Sequence, residues 1–304
     1  METILVVGVE TVVGANLAAH FAEHQDVASV SFGAPVRIEG CRTADSASPA
    51  DAIRSTRAGH VIYCGPESRS SWEPTTEAAL AKSSTTQVTQ WAAAAKQCGV
   101  RFTMISSDAV FTGPWIFHEE DSTSLCQSTG AARIRAGEEA ALAACPEALI
   151  LRTNAFGWSP TGHGWLESIL QTIELRRTVD QDPIRHSAPI LATDLADIVE
   201  RALSEELSGI FHVAGAERVS PHQFAQRLAD QFDLPWLAVR REAAIVERAE
   251  GFGAAECSLQ TKKIRKALCV AMPMLSEGLD RLSAQRFNGH RDLMLHTETS
   301  AAAA

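Results

Sequence analysis

Short apolar runs recur along this chain at the spacing that alternates strands with helices, and nothing else in the sequence constrains the fold as tightly. Residues 3–7, 28–32, 60–64, 101–106 and 148–152 each read as a strand followed by a segment of helical length, the pattern of βαβ units. Ile4-Leu5-Val6-Val7 and Leu149-Ile150-Leu151 are apolar without alternation, as strands covered on both faces must be. A doubly wound parallel sheet is therefore predicted, in the α/β class. Residues 86–99 are predicted helical, with Ser83, Ser84 and Thr85 available as N-caps and Gly99 able to close the end in left-handed geometry.

After Gly157-Trp158-Ser159-Pro160-Thr161-Gly162 the pattern changes, and that turn cluster marks a seam. The reading is a dinucleotide-binding domain over residues 1–157 and a smaller, mainly helical substrate lobe over 158–290 whose elements interleave with it. In the second part Thr193 is expected to cap a helix running to 205, Ser220-Pro221 to start another, and 209–213 to form a strand between them. Residues 291–304, polar and then all alanine, read as a disordered tail.

Lys plus Arg is 27 against 37 Asp plus Glu, a net charge of −10, with no basic run to displace counterions; nucleic acid is not expected as a partner. No apolar stretch reaches the roughly 20 residues of a membrane span, so no membrane is expected and the address is cytoplasmic. Seven cysteines without a C-x-x-C pair argue against a disulfide framework and a zinc site, and no metal is expected.

The first strand runs into Gly8-Val9-Glu10-Thr11-Val12-Val13-Gly14 and an alanine-rich helix. Glycines in such a turn let the backbone approach a pyrophosphate, whose charge then sits on the helix N-terminus. Gly8 and Gly14 fit the outer positions of that loop, Val12 lies in its turn, and Thr11 stands where a middle glycine would be. The threonine hydroxyl either donates to phosphate or narrows the approach, and the glycines alternatively serve only a tight turn. The second strand ends in Ser31-Phe32-Gly33 without the acid that would hold the ribose of NAD. Arg37 is the nearest charge, placed to pair with the 2′-phosphate of NADP or simply solvated.

Six ordered motifs give the chain a family resemblance: the glycine loop, Ile105-Ser106-Ser107-Asp108-Ala109-Val110-Phe111-Thr112-Gly113, Leu151-Arg152-Thr153-Asn154-Ala155-Phe156-Gly157, Thr193-Asp194-Leu195-Ala196-Asp197, Phe211-His212-Val213-Ala214-Gly215 and the stretch from Ser258 to Leu268. Together they resemble the extended short-chain dehydrogenase/reductases, most closely the dTDP-4-dehydrorhamnose reductase group. The resemblance implies a Rossmann-type fold, NADP or NAD as cofactor with NADP slightly preferred, a sugar-nucleotide ligand and a homodimer through helices at 86–97 and 134–145. It places Ser107 as the hydroxyl that orients a carbonyl, followed by Asp108, which is either an acid or a turn cap. Phe32, Cys64, Gly65, Pro66, Ser106, Asn154, Ala155 and Phe156 fall among the cofactor positions, and Ser83 replaces a relay asparagine. Arg185 and His186 fall where the family meets its sugar nucleotide, or else form an extended approach to the next helix.

Family chemistry also requires a tyrosine and, four residues on, a lysine that tunes its pKa. The best spacing puts Thr129 and Arg133 there, and sliding by one gives Gly130 and Ile134. Neither pair restores the dyad, and the sole tyrosine of the chain is Tyr63. A threonine cannot replace a phenol and an arginine does not titrate. His118 or Glu119, in the loop after Gly113, is a substitute acid–base or a surface group. Two functions follow: a catalytically degenerate binding or regulatory protein with a partner enzyme, as in the similar regulatory β subunit of methionine adenosyltransferase, or an active NADP-dependent reductase, epimerase or dehydratase with a non-standard acid.

Overall fold

The computed structural model describes residues 3–33, 36–44, 48–242 and 251–294. The first part of the chain runs β1 (Thr3–Val7), α1 (Val12–Ala22), β2 (Val27–Val30), β3 (Cys41–Thr43), α2 (Pro49–Thr56), β4 (Ala58–Tyr63), α3 (Thr76–Lys82), α4 (Thr85–Cys98), β5 (Arg101–Ser107), α5 (Thr129–Ala144) and β6 (Leu149–Thr153). There follow β7 (Ala155–Phe156), α6 (Trp165–Glu174), β8 (Val179–Gln181), β9 (Ile190–Leu191), α7 (Ala192–Ser204), β10 (Gly209–His212), α8 (Pro221–Gln231), β11 (Val239–Arg241), α9 (Lys262–Leu268), α10 (Leu275–Gln285) and α11 (His290–Met294).

Among the described residues the main sheet has seven strands in the order β10-β6-β5-β4-β1-β2-β3, and each neighbouring pair is parallel. This is a Rossmann-type sheet, and its order reverses beside β1. The unbroken apolar runs are explained by their two covers. Ile4 and Val6 of β1 pack with Leu17, Phe21 and the α7 residues Leu195 and Val199 on one face, while Leu5 and Val7 pack with Ile53, Val88 and Trp91 of α2 and α4 on the other. Ser84, not its neighbours, caps α4 by accepting from the Thr86 amide, and Gly99 closes that helix at φ 68°.

The second part of the chain is not a separate layer, because β10 joins the edge of the main sheet beside β6. Ser220 caps α8 in a reciprocal box with Gln223, Pro221 following directly. Thr193 does not cap α7, which starts one residue earlier without a side-chain cap; its Oγ1 instead accepts from Gln285 Nε2 at 2.9 Å. Residues 291–294 belong to α11 rather than to a tail, and 295–304 lie outside the described residues. The fully buried Asn16 of α1 ties distant segments together. Its Nδ2 donates to the Trp158 carbonyl at 2.9 Å, and its Oδ1 lies 3.1 Å from His290 Nε2 of α11. No described helix is long and apolar enough to cross a membrane.

Candidate functional site

The carboxyl ends of β1, β4, β5 and β6 converge where the sheet order reverses, which is where open α/β sheets hold ligands. At β1, Gly8 has φ +92° and a Cβ built on it would lie 2.1 Å from the Cys64 carbonyl oxygen, so no other residue fits. A Cβ on Gly14 would lie 2.3 Å from the Gly8 oxygen, and its absence lets α1 press against the loop. Thr11 is the N-cap: its buried hydroxyl accepts from the Gly14 amide at 3.0 Å and donates to the Gly8 carbonyl at 2.9 Å. That corrects the reading in which the hydroxyl donates to a phosphate, since its one proton is given to the Gly8 carbonyl. The amides of Val12 and Val13 are the helix N–H groups such a cap leaves over.

Sequence reasoning missed Glu10. The acid sought at the end of β2 sits instead inside the glycine loop, where its carboxylate accepts from Ser31 Oγ at 3.2 Å and from the Phe32 amide at 3.3 Å. A charged third residue in the loop was the available signal. Arg37 is exposed, and the half-buried Phe32 ring stands 5.8 Å from Tyr63.

Beyond β4, Cys64 and Gly65 are buried and Pro66 opens a short 3-10 turn. A Cβ on Gly65 would lie 2.5 Å from Glu67 Oε2 and 2.6 Å from the Tyr63 hydroxyl, so the turn folds this acid and phenol inward. Burial, with Glu138 nearby, pushes the Glu67 carboxyl up to about 7, and burial with the Glu67 charge raises the Tyr63 phenol. Ser83 is not aimed at a relay; its hydroxyl donates to the Leu80 carbonyl of its own helix.

At the end of β5, Ser106 Oγ donates to Glu138 Oε1 at 2.6 Å. Ser107, fully buried, accepts from the Ala109 amide at 3.2 Å and donates to Asp108 Oδ1 at 3.3 Å. Asp108 Oδ2 accepts from Ser187 Oγ at 2.5 Å. Burial pushes Asp108 up to about 7, against the opposing pull of the Ser187, Ser71 and Ser107 hydroxyls. Beside it Ser70 Oγ donates to Asn154 Oδ1 at 2.6 Å, while Asn154 Nδ2 and Thr153 Oγ1, both buried, have no partner among the described residues. Ala155 and Phe156 are closed off, paired as β7 with β9, and Phe156 packs edge-on against Phe224 at 5.0 Å.

The two registers for the missing dyad are separated by the face of α5 they occupy. Thr129 and Arg133 are exposed, which corrects their placement in the site. Gly130 and Ile134 face inward, where a Cβ on Gly130 would meet the Phe252 ring at 2.8 Å and Ile134 is buried among Leu80, Val110, Phe111 and Phe252. The side chain of Phe252 thus fills the space in front of α5. His118 is also withdrawn from chemistry: it is buried, stacked on Phe111 at 4.7 Å, with Nδ1 at 3.0 Å from Ser122 Oγ and Nε2 at 3.2 Å from the Glu256 carbonyl. Burial lowers its pKa. Glu119 is exposed.

Arg185 pairs with Asp182 at 3.0 Å and lines a cleft of about 540 Å³ with Ser71, Trp72, Glu77 and Phe252. His186 turns back, its Nδ1 lying 2.7 Å from the Ile184 carbonyl. The structure thus gathers Ser107, Asp108, Asn154 and Arg185 around the Ser70-Ser71 turn, and leaves Thr129, Arg133, His118 and His186 out.

The raised pKa of Asp108 makes a pH prediction. Its folded pKa lies above the unfolded value of about 3.9, so its contribution to stability is present in acid and is lost as pH rises through about 7. Glu67 acts in the same sense. Urea unfolding at about pH 5 and about pH 8 is expected to show Asp108→Asn gaining stability relative to the unmodified chain at the higher pH. An unchanged difference between the two pH values would show that Asp108 is ionised when folded.

The profile of the family described as RmlD substrate binding domain matches residues 1–286. A dTDP-4-dehydrorhamnose reductase of Sinorhizobium fredii (strain NBRC 101917 / NGR234) is 29% identical over 226 residues, covering 71% of this chain and 74% of that one. Methionine adenosyltransferase 2 subunit beta of Danio rerio is 28% identical over 214 residues, covering 64% and 62%. Among solved structures, dTDP-4-dehydrorhamnose reductase from Bacillus anthracis str. Ames in complex with NADP superposes with a TM-score of 0.76 over 93% of this chain and 99% of that one, at 17% identity.

Proposed function

Because this chain belongs to the RmlD substrate-binding domain family, we propose that it binds a nicotinamide dinucleotide and a sugar nucleotide without the family's proton relay, in a binding or regulatory role. One observation carries this reading: the inward positions of α5 are Gly130 and Ile134, covered by Phe252, so neither phenol nor ammonium faces the end of β5. Dinucleotide binding is supported by the Gly8 to Gly14 turn at the start of α1, by the unpartnered Asn154 Nδ2 and Thr153 Oγ1 at the end of β6, and by the NADP bound to the Bacillus anthracis relative. The bound dinucleotide would supply hydride exchange. The cleft at Arg185 offers the Trp72 and Phe252 rings for a base or sugar, while the Arg185 guanidinium is held by Asp182 and stands among Glu73, Glu77, Asp180 and Glu242, a lining that favours a sugar's hydroxyls over a diphosphate. The name of the Danio rerio relative, a subunit of an adenosyltransferase, supports a partner enzyme. The proposal includes a homodimer through the exposed faces of α4 and α5 and a cytoplasmic address.

Glu10 turns the cofactor choice toward NAD. At the end of β2 a carboxylate accepts from ribose hydroxyls and repels a 2′-phosphate. Titration of the protein's fluorescence quenching is expected to show NADH binding tighter than NADPH, and Glu10→Gln is expected to narrow the ratio by about tenfold, or 1.4 kcal/mol. Absence of binding by either dinucleotide would sink the dinucleotide reading; an unchanged ratio in the variant would sink only the role of Glu10.

A second reading rests on Asp108. A carboxyl pushed up to about 7 and hydrogen-bonded to Ser107 is able to deliver a proton at neutral pH beside the hydroxyl that the family uses to orient a carbonyl, which would make the protein a reductase, epimerase or dehydratase with a substitute acid.

A further inference from the structure

At the other end of α1 from the glycine loop, the helix faces α7. His20 lies in the last turn of α1 and His24 just past it, four residues on, so both imidazoles project from one side. Asp197 and Glu200, three apart on α7, answer them. His20 Nε2 lies 3.1 Å from Asp197 Oδ1, and His24 Nε2 lies 3.1 Å from Glu200 Oε1. The two rings meet edge to face at 5.6 Å, and donor atoms of His20, His24 and Glu200 all lie within 4.8 Å of one another. We propose that these three residues form a binding site for a divalent transition-metal ion of the Zn²⁺ class, completed by water, that staples α1 to α7, with Asp197 on its rim beside His20.

The donor set fits that class. Two imidazole nitrogens with a carboxylate oxygen suit zinc and its borderline neighbours, whereas calcium and magnesium take oxygen alone. At metal–ligand distances of about 2.0–2.2 Å, the donors of a tetrahedral ion sit roughly 3.3 Å apart. Closing to that spacing asks only for rotation of side chains that water already reaches: His24 is 43% exposed and Glu200 37%, while His20 is held at 19%. The helices beneath do not have to move, because Leu17 and Phe21 of α1 and Ile198, Val199 and Ala202 of α7 share one buried cluster. Gln25 Nε2 donates to Glu200 Oε1 at 2.6 Å, orienting the carboxylate from outside the donor set, as supporting hydrogen bonds do around metal ligands. The cysteines, where a zinc site is sought first, take no part.

Calorimetric titration of the chelator-stripped full chain with zinc chloride is expected to give one equivalent bound at micromolar affinity and a raised melting temperature. Cobalt(II) at the same site is expected to give visible absorption of a tetrahedral centre. His24→Ala and Glu200→Gln, both at exposed positions, are each expected to weaken that binding at least tenfold, while Cys269→Ser, at an exposed thiol, leaves it unchanged. Zinc binding of equal strength in His24→Ala and Glu200→Gln, or none at all by the unmodified chain, would overturn the assignment and leave the four side chains as two hydrogen-bonded pairs.

Discussion

Reduction of a dTDP-4-keto sugar by NADH or NADPH is expected to run near background. General acid–base assistance is worth about 10²–10⁴-fold, and at the inward positions of α5 a glycine and an isoleucine stand in place of its donor and tuning cation. Holding cofactor and carbonyl together still lowers the barrier, so a trace of turnover is compatible with this result. A rate of about 1–10³ s⁻¹ would overturn it. The decisive variant would then be Asp108→Asn: loss of kcat with dinucleotide binding intact assigns the proton to Asp108 and establishes the second reading. Gly130→Tyr is not a useful rescue by itself, because a Cβ there already meets Phe252 at 2.8 Å.

The largest loss of stability is expected from Arg152→Leu. Arg152 holds Glu138 with two bonds, Nε to Oε1 at 2.9 Å and Nη2 to Oε2 at 2.7 Å. Its side chain is 7% exposed and that of Glu138 4%, and the guanidinium lies 5.1 Å above the Phe111 ring. Removing the cation strands a carboxylate between β5, β6 and α5, which costs about 3–5 kcal/mol. The double replacement Glu138→Leu with Arg152→Leu should recover most of that, since the desolvation cost disappears with both charges. Urea unfolding of the two variants checks it; a single variant within about 1 kcal/mol of the parent would mean that water reaches the pair.

The strands that the sequence announces are those buried on both faces. Thr3–Val7 and Leu149–Thr153 stand where continuous apolar runs put them, whereas β3, with Arg42 and Thr43 exposed at the sheet edge, carries no such run and was not foreseen. The site was legible to the extent that its residues follow a strand end: Ser107, Asp108 and Asn154 do. Glu10 was hidden because its position in the chain belongs to one ligand contact and its side chain to another. The dyad register was hidden for a different reason. Spacing alone does not say which side of a helix is covered, and it took the Phe252 ring, more than a hundred residues further along the sequence, to show that 130 and 134 are the inward pair.

The hydrogen bonds of Asn16 bear on how the chain leaves the ribosome. Two of them reach partners 142 and 274 residues downstream, while a third, from Nδ2 to the Val12 carbonyl at 2.7 Å, is local to α1. Before Trp158 and His290 are synthesised, α1 can already lay Leu17 and Phe21 against β1, but the Oδ1 of Asn16 and the second hydrogen of its Nδ2 have only water to bond. The first helix is therefore expected to dock early on its apolar face and to gain its last two polar ties only when the far end of the chain arrives.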